Sequence, residues 1–251
     1  SRTALNQNGF ILSMNKTKKP ADRLIFHVDV NSAFLSWESA RRMKEGLPDL
    51  RDIPACIGGD PAKRTGIVVA KSIPAKKCGV QTGEPVAMAL RKCPNMVIVP
   101  SDFDLYVKCS RAFKKICASY TPVMESFSID EVFLDMTGTS LLYPDPIAAA
   151  HEIKDRISDE LGFTVNVGIS TNKLLAKMAS EFEKPNKVHT LFPEEIPAKM
   201  WPLPVRKLLF LGKASEKKLT EAGIRTIGDL AHAWETDIQT LIGNKNGHQL
   251  Y

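Results

Sequence analysis

Three acidic residues lie in apolar stretches of this sequence, where carboxylates are rarely found. Asp29 ends the run LIFHVDV, and Asp130 and Glu131 are adjacent in SIDEVFLD. Buried acids need a partner and adjacent carboxylates repel each other, so a divalent cation with oxygen ligands, such as Mg²⁺, would stabilise them. Neighbouring residues of a strand face opposite ways, so both acids reach one ion only if a turn or bulge falls there. The alternative is that one of the pair faces solvent and Asp29 caps a helix.

Other catalytic chemistries have no matching motif. The sequence contains no G-x-x-x-x-G-K-[ST] phosphate loop, no G-x-G-x-x-G dinucleotide loop and no G-x-S-x-G nucleophile elbow. Carboxylates and lysines are the residue types used in metal-assisted phosphoryl chemistry, which this sequence therefore favours.

The charge is unevenly distributed. The net charge is +6, but residues 41–120 carry +8 and residues 121–171 carry −7. Basic segments around an acidic centre are typical of a protein that holds a polyanion while its carboxylates act locally. Uneven charge is also common in globular proteins, so the pattern alone leaves both interpretations open.

The composition is that of a globular protein without a membrane span. The chain has 251 residues, of which 43% are hydrophobic, and its apolar runs are far shorter than the roughly 18 residues that a span needs. Its five cysteines are odd in number and include no Cys-x-x-Cys pair. This argues against a disulfide framework or a zinc ribbon and indicates a reducing, cytoplasmic compartment.

Hydrophobic patterning predicts alternating strands and helices up to about residue 190, which is an α+β or α/β pattern. Strands are expected at residues 24–30, 66–70, 97–99 and 164–169, with a hairpin at 125–136. Helices are expected at residues 106–120, 147–161 and 172–182. Asn31 or Ser32 can cap a further helix after the first strand. Four prolines between 193 and 204 mark a boundary, and short helices are expected beyond it.

Four segments of the chain carry motifs in a fixed order: HVDVNSAFLSWE, SIDEVFLDMT, VGISTNKLLAKMASEFEKPN and LGKASEKKLTEAGIRTIGDL. Together they resemble the motifs of the Y-family DNA polymerases, the lesion-bypass class that includes the DinB- and UmuC-type bacterial enzymes. The resemblance runs from about residue 24 to residue 251.

The resemblance implies an α+β fold shaped as a right hand. Its palm would hold a mixed or antiparallel β-sheet flanked by helices, beside small fingers and an all-α thumb of helix-hairpin-helix type. The palm would comprise residues 23–32 and 103–191, the fingers 33–102 and the thumb 192–251. Residues 1–22 would be an N-terminal extension, in which Met14 is a candidate start. The family's C-terminal little finger is not expected within this sequence.

By the same resemblance, the three acids are the catalytic residues. Asp29, Asp130 and Glu131 would hold two Mg²⁺ ions, for which Mn²⁺ can substitute, with the Val30 carbonyl as a further ligand. Two such cations would lower the pKa of the primer 3′-hydroxyl and neutralise charge on the pyrophosphate leaving group.

Phe34 matches the family's steric gate, an aromatic residue that lies under the nucleotide sugar and blocks a ribose 2′-hydroxyl. Ser32 and Ala33 precede it and are expected to line the same nucleotide site. The alternative is that Phe34 is a core residue on the helix stripe that also carries Trp37.

Two lysines match positions that grip the incoming triphosphate. Lys184 lies at the end of a predicted helix before a proline, where it would otherwise complement the helix dipole. Lys76 falls in the fingers, three residues after Ile73. The DinB-type fingers motif has a tyrosine and an arginine at these two places, so this chain is closer to the UmuC-type pattern.

A late segment resembles a helix-hairpin-helix, whose glycine amides hold DNA phosphates without reading bases. Gly212, Lys213 and Lys217 are the expected DNA contacts. Phe210 occupies the place of the usual first glycine, so a purely structural hairpin is an equal alternative.

The function implied by the resemblance is template-directed DNA synthesis from dNTPs on a primer-template, with low-fidelity bypass of damaged bases in DNA repair. The chain would act as a monomer in the bacterial cytoplasm, at the nucleoid. A sliding clamp or a recombinase filament would bind through the missing C-terminal region, and DNA binding without it would be weak. The alternatives are a non-catalytic DNA-binding fragment and a palm-type nucleotide cyclase.

Overall fold

The computed structural model describes residues 23–233 and 235–243. In chain order its strands are β1 (Ile25–Val30), β2 (Ala55–Ile57), β3 (Ala70–Lys71), β4 (Val97–Val99), β5 (Met124–Ser126), β6 (Glu131–Asp135), β7 (Val165–Ser170) and β8 (Val188–Thr190). Its α-helices are α1 (Ala33–Lys44), α2 (Ile73–Lys77), α3 (Val86–Lys92), α4 (Phe103–Ala118), α5 (Pro146–Leu161), α6 (Lys173–Ser180), α7 (Ile196–Lys199), α8 (Lys213–Glu221), α9 (Ile227–Ala231) and α10 (Glu235–Ile242). No helix among these residues is long and apolar enough to cross a membrane.

The two sheets differ in the number and the pairing of their strands. The larger has the order β5-β6-β1-β7-β8, and all its neighbouring strands are antiparallel except the parallel pair β7 and β8. The smaller has the order β3-β2-β4, with β3 antiparallel and β4 parallel to β2. The architecture is therefore α+β with a mixed sheet, as expected.

Strand β1 is the centre of the larger sheet and is buried on both faces. Phe26, Val28 and Val30 contribute to the main hydrophobic core, to which α4 and α5 also contribute apolar residues. The alternate residues face α6, because Ile25 clusters there with Phe133 and Ala176. Since side chains alternate along a strand, His27 and Asp29 lie on that second face.

Helix α6 lies directly on β7 because a glycine faces it. A β-carbon added at Gly168 would lie 1.9 Å from the Ala176 carbonyl oxygen and 2.5 Å from the Ser180 nitrogen. The Asn172 side chain caps this helix by accepting a hydrogen bond from the Leu175 amide, at 2.8 Å. The sequence thus fixes both the start of α6 and its close approach to the sheet.

Most of the expected elements are present, but residues 66–70 do not form a continuous strand. Only Ala70 of this run belongs to β3, and Ile67 makes an isolated bridge to Pro85. The reason is the close packing of two glycines: a β-carbon on Gly66 would lie 2.5 Å from the Gly59 Cα. The chain bends there instead of extending.

The expected cap of α1 is also wrong. Ser32 occupies the N-cap position with φ 46°, and no side chain caps the helix. The Asn31 amide oxygen instead accepts hydrogen bonds from Thr164 Oγ1 and the Asn186 amide. This side chain therefore ties the end of β1 to two distant loops.

The residues after β8 form short helices around two small apolar clusters. A 3₁₀ turn at Val205–Lys207 and helix α8 enclose a sharp bend at Phe210. Phe210 has φ 68°, in the left-handed region that disfavours residues with a β-carbon, and its side chain is 74% exposed. Phe210 thus adopts the backbone conformation of the glycine that usually occupies this position of the hairpin.

Replacing Phe210 with glycine should relieve this strain, because it removes the β-carbon while giving up little buried surface. We expect F210G to stabilise the bend by about 0.5–1 kcal/mol, seen as slower hydrogen exchange in residues 205–231. The matched control is F210A, which also removes the exposed ring but keeps the β-carbon. Equal protection in both variants would contradict the strain explanation.

Candidate active site

Strand pairing brings the backbones of the three acids together. Asp29 of β1 lies directly opposite Glu131 of β6, and the Val30 amide donates to the Asp130 carbonyl at 3.0 Å. Asp130 lies in a bend that ends where β6 begins, closed by hydrogen bonds from the Phe127 and Ser128 amides to the Glu131 carbonyl. The turn that two adjacent acids require at this point is present.

The Glu131 carboxylate is held by three donors. Its Oε1 atom lies 3.0 Å from His27 Nε2 and 2.5 Å from Lys177 Nζ, and its Oε2 atom accepts from Ser128 Oγ at 3.0 Å. The hydrogen bond from His27, aided by Lys177 and opposed by burial, lowers the pKa of Glu131 to about 2. The group is therefore ionised and fixed in direction at neutral pH.

His27 connects this carboxylate to helix α6. The ring is completely buried, and its Nδ1 atom lies 2.7 Å from Ser180 Oγ, an atom that is also 2.8 Å from the Lys177 carbonyl oxygen. The sequence analysis did not single out His27, Ser180 or Lys177. A signal was available, because His27 precedes Asp29 by two residues and so shares its face of the strand.

Asp29 is paired with Lys184. Lys184 Nζ donates to Asp29 Oδ2 at 2.6 Å and to Glu181 Oε1 at 2.8 Å. Burial raises the pKa of Asp29, although Lys184 opposes the rise. Burial also lowers the pKa of Lys184, but the carboxylates of Asp29 and Glu181 outweigh it and raise that pKa overall. Since α6 ends at Ser180, the partner of Lys184 is a carboxylate and not the helix terminus.

A cleft of about 360 Å³ lies between the start of α1 with the bend at Asp130 on one side and β3 with α2 on the other. It brings together six of the residues predicted to form the site: Ser32, Ala33, Phe34, Ile73, Lys76 and Asp130. The cleft is lined by polar and apolar groups, as a site for a nucleotide requires. Asp29, Glu131 and Lys184 do not line it.

Phe34 packs in the core and also lines the cleft, while its role as a steric gate stays a prediction. Its ring stacks on Tyr106 with centroids 4.6 Å apart and contacts Trp37 edge-on at 6.0 Å. The side chain is only partly buried, however, and its free surface lines the cleft beside Asp130. Core packing therefore fixes the orientation of a ring that also forms part of the cleft wall.

The cleft contains polar residues that were not predicted from the sequence, namely Lys71, Ser72 and Thr82. Lys71 Nζ donates to Thr82 Oγ1 at 3.0 Å, and both side chains line the wall opposite Phe34. Lys71 follows directly after the apolar run 66–70, which was the available signal. With Lys76, the cleft has two lysines and one carboxylate, so it is suited to an anionic ligand.

The donor chemistry of the acids fits a hard divalent cation, but their side chains do not converge. Within the part of the chain that the structure describes, no three His, Cys, Asp or Glu side chains are grouped so as to hold a metal. Ser128 Oγ bridges Asp130 and Glu131, whereas Asp29 and Glu131 are each turned to a lysine. Strand pairing places the three acids and the Val30 carbonyl at one end of β1 and β6. The ammonium groups of Lys177 and Lys184 are the cations that pair with Glu131 and Asp29.

The predicted DNA contacts lie together at the start of α8 and in its first turns. Gly212 is the N-cap of α8, with open space where a β-carbon would be, and Lys213 begins the helix. Lys217 is exposed one turn further on, 3.9 Å from Glu221. Backbone amides and lysines thus face solvent at one helix terminus, which is compatible with phosphate binding.

The sequence matches two family models. Residues 28–181 match the impB/mucB/samB family, and residues 193–224 match the HHH motif of the IMS family. The first match contains all three acids, and the second contains the hairpin before α8.

Curated relatives share the name DNA polymerase IV. That of Clostridium acetobutylicum is 52% identical over 210 residues, which cover 83% of this chain and 53% of the relative. That of Acetivibrio thermocellus is 40% identical over 229 residues, covering 91% and 56%. The chain therefore spans about half the length of these relatives. The UmuC-like fingers pattern of Ile73 and Lys76 stays a prediction.

Solved structures share the fold. DinB from Sulfolobus solfataricus has a TM-score of 0.79 at 24% identity, covering 90% of this chain and 65% of that one. An insertion ternary complex of Dbh DNA polymerase has a TM-score of 0.78 with the same coverage. The likeness establishes the right-hand fold. With a family match over more than half of its residues, the chain belongs to the impB/mucB/samB family.

Proposed function

We propose that this chain carries the catalytic part of a lesion-bypass DNA polymerase, in which a primer 3′-hydroxyl attacks a dNTP and pyrophosphate leaves. The observation that supports it best is the cleft in which Phe34, Lys76 and Asp130 meet, at the edge where Asp29 faces Glu131. The name DNA polymerase IV, which the relatives share, supports DNA synthesis. A small fingers sheet that presses lightly on the nascent base pair would give low fidelity and tolerance of damaged bases.

The domain assignment belongs to the same proposal. Residues 23–32 and 103–191, which contain the larger sheet, would be the palm. Residues 33–102 would be the fingers and residues 192–251 the thumb. Ala55, Ile57 and Val99 of the smaller sheet belong to the main core, so the fingers would be anchored to the palm at their base.

Divalent cations would complete the site. The carboxylates of Asp29, Asp130 and Glu131 and the Val30 carbonyl would hold two ions, Mg²⁺ or in its place Mn²⁺. Such ions supply charge neutralisation and a lower pKa for the attacking hydroxyl.

The chain's own residues would bind and orient the nucleotide. Lys76, on α2, would attract the triphosphate. Lys184 would attract it from the opposite side of the site once its ion pair with Asp29 breaks. Phe34, fixed by Tyr106, would lie under the sugar and exclude a 2′-hydroxyl by contact. His27 and Lys177 would keep the Glu131 carboxylate in one direction, which reduces the reorganisation needed during reaction.

Partners and location follow from this function. Primer-template DNA would contact the hairpin at Gly212, Lys213 and Lys217 through its phosphates. The protein would act as a monomer in the cytoplasm at the nucleoid, with a clamp or recombinase filament bound outside this sequence. Because phosphate contacts carry much of the affinity, binding should weaken steeply with salt.

Replacing Glu131 with glutamine tests the catalytic role. We expect E131Q to lower single-nucleotide incorporation about 10³-fold while leaving primer-template binding intact, because the charge is lost but the shape is kept. Incorporation is measured at low salt with Mg²⁺, and binding by fluorescence anisotropy.

The matched control for E131Q is E125Q, which changes an exposed acid of the same hairpin that is paired with Lys173. It should incorporate nucleotides at the unaltered rate. Equal activity of E131Q and E125Q would refute the role of Glu131. Binding without incorporation by the unaltered chain would favour a non-catalytic DNA-binding module.

Shortening Phe34 tests the sugar contact. F34A should raise the efficiency of ribonucleotide use relative to deoxyribonucleotide use by about tenfold or more, because the obstructing ring is removed. The ratio of kcat/KM values for the two sugars is the measurement. F103A is the control, since Phe103 belongs to the same aromatic cluster but does not line the cleft. An unchanged ratio in F34A would contradict the gate.

Two neighbouring lysines of α2 separate a specific phosphate contact from general charge. Lys76 lines the cleft, whereas Lys77 is exposed on the same helix outside it. K76A should raise the KM for dNTP about tenfold through loss of a charged contact, and K77A should leave it near the unaltered value. Equal KM increases in the two variants would show that only net charge matters.

A further inference from the structure

The side chains of Cys78 and Cys93 contact each other at the C-terminal ends of α2 and α3, outside the cleft. Cys93 Sγ donates a hydrogen bond to Cys78 Sγ at 3.2 Å. A disulfide bond is about 2.0 Å long, so the two sulfur atoms are within about 1 Å of bonding distance. The sequence analysis, which relied on spacing motifs, did not detect this pair.

Both cysteines end helices, and other contacts already join these two helix ends. Cys78 is the C-cap of α2 and Cys93 is the C-cap of α3. Lys92 Nζ donates to the Gly79 carbonyl at 3.1 Å and to Glu84 Oε2 at 2.8 Å, so it spans from the end of α3 to the residue after Cys78. Closing a covalent bond would therefore demand little backbone movement.

The two thiols differ in solvent exposure. The exposed Cys78 is suited to attack an oxidant, and the buried Cys93 is suited to attack Cys78 in a second step. Cys78 is the only exposed cysteine of the five, all of which the structure describes, and Cys93 is 5% exposed in an apolar cluster. Burial, together with the contact to Cys78, raises the pKa of Cys93 to about 11. The S–H of Cys93 points to Cys78 Sγ, so the two sulfur atoms already face each other.

The remaining cysteines lack this combination. Cys56 and Cys117 are buried, and burial raises their pKa values to about 11 and about 12. Cys109 is half-buried, and burial raises its pKa as well. Three of the five thiols are therefore expected to resist oxidation under native conditions.

We propose that Cys78 and Cys93 form a reversible disulfide when the protein meets a low-molecular-weight disulfide such as oxidised glutathione. The Cys78 thiolate attacks one sulfur of the oxidant and expels one glutathione thiolate, which leaves a mixed disulfide on Cys78. Cys93 gives up its proton, attacks Cys78 Sγ and expels the second glutathione. In sum, two protein thiols become one disulfide and one oxidant molecule becomes two thiols.

The cross-link would modify the element that carries two cleft residues. Helix α2 has only five residues and bears Ile73 and Lys76 on the cleft side. A bond from its last turn to α3 closes a loop between positions that are 15 residues apart. Such a loop restricts the unfolded chain and should raise the melting temperature.

The test uses the whole reduced chain incubated with oxidised glutathione, freed of excess reagent, denatured and titrated for free thiols. We expect the count to fall from five to three, with tryptic peptides 78–91 and 93–108 joined by a disulfide. The melting temperature should rise by about 5 °C, and dithiothreitol should reverse both changes. A full count of five thiols, or a lasting glutathione adduct on Cys78 with Cys93 free, would overturn the proposal.

Three variants make the assignment specific. C93S should stop at the glutathione adduct on Cys78, and C78S should keep all four of its thiols. C109S should form the same cross-link as the unaltered chain. Cross-linked peptides that contain Cys56, Cys109 or Cys117 would also contradict the pairing.

Discussion

Placing two carboxylates opposite each other on buried neighbouring strands is the constraint that shapes this molecule. Asp29 and Glu131 are Cα partners at one end of the neighbouring strands β1 and β6, where like charges repel and burial penalises both. The chain offsets this cost with its own cations, Lys184 for Asp29 and Lys177 for Glu131. Both lysines follow β7 in sequence. The pairing of β1 with β7 and the position of α6 therefore bring these cations to the two carboxylates.

The packing of α6 makes that solution rigid. Gly168 lets the helix rest on the sheet, which brings Lys177 and Ser180 over β1. Ser180 then fixes His27, and His27 fixes Glu131, so a chain of side chains runs from the helix to the carboxylate. On the other face of β1, Phe26, Val28 and Val30 are held by the main core. The acid-bearing strand thus has no freedom to shift its register.

The sequence predicted the central elements because they have strong local signals. The strand with Asp29, the hairpin with Glu131 and the helix after Asn172 each combine an apolar period with a polar end or a cap. The adjacency of Asp130 and Glu131 required a turn, and the bend lies there. Motif resemblance supplied Phe34, Lys76 and Ile73, which spacing alone would have assigned to the core or the surface.

What the sequence did not predict depends on contacts between distant segments. The ion pairs of Lys177 and Lys184 and the buried His27–Ser180 contact join residues that are far apart, so no local pattern reveals them. Residues 66–70 read as a strand, but the approach of Gly66 to Gly59 bends the chain. The Asn31 side chain, suited to a cap, is used to tie loops together instead.

The cleft has two walls of very different construction. One wall is formed by residues that directly follow β1 or precede β6 in the five-stranded sheet, whose central strand is fully buried. The other wall is formed by the five-residue helix α2 and the two-residue strand β3. Side chains on the second wall, such as the largely exposed Ile73, take little part in the core. Substitutions on the second wall should therefore cost the fold little stability, whereas changes on the opposite wall would disturb the packing of the buried strand.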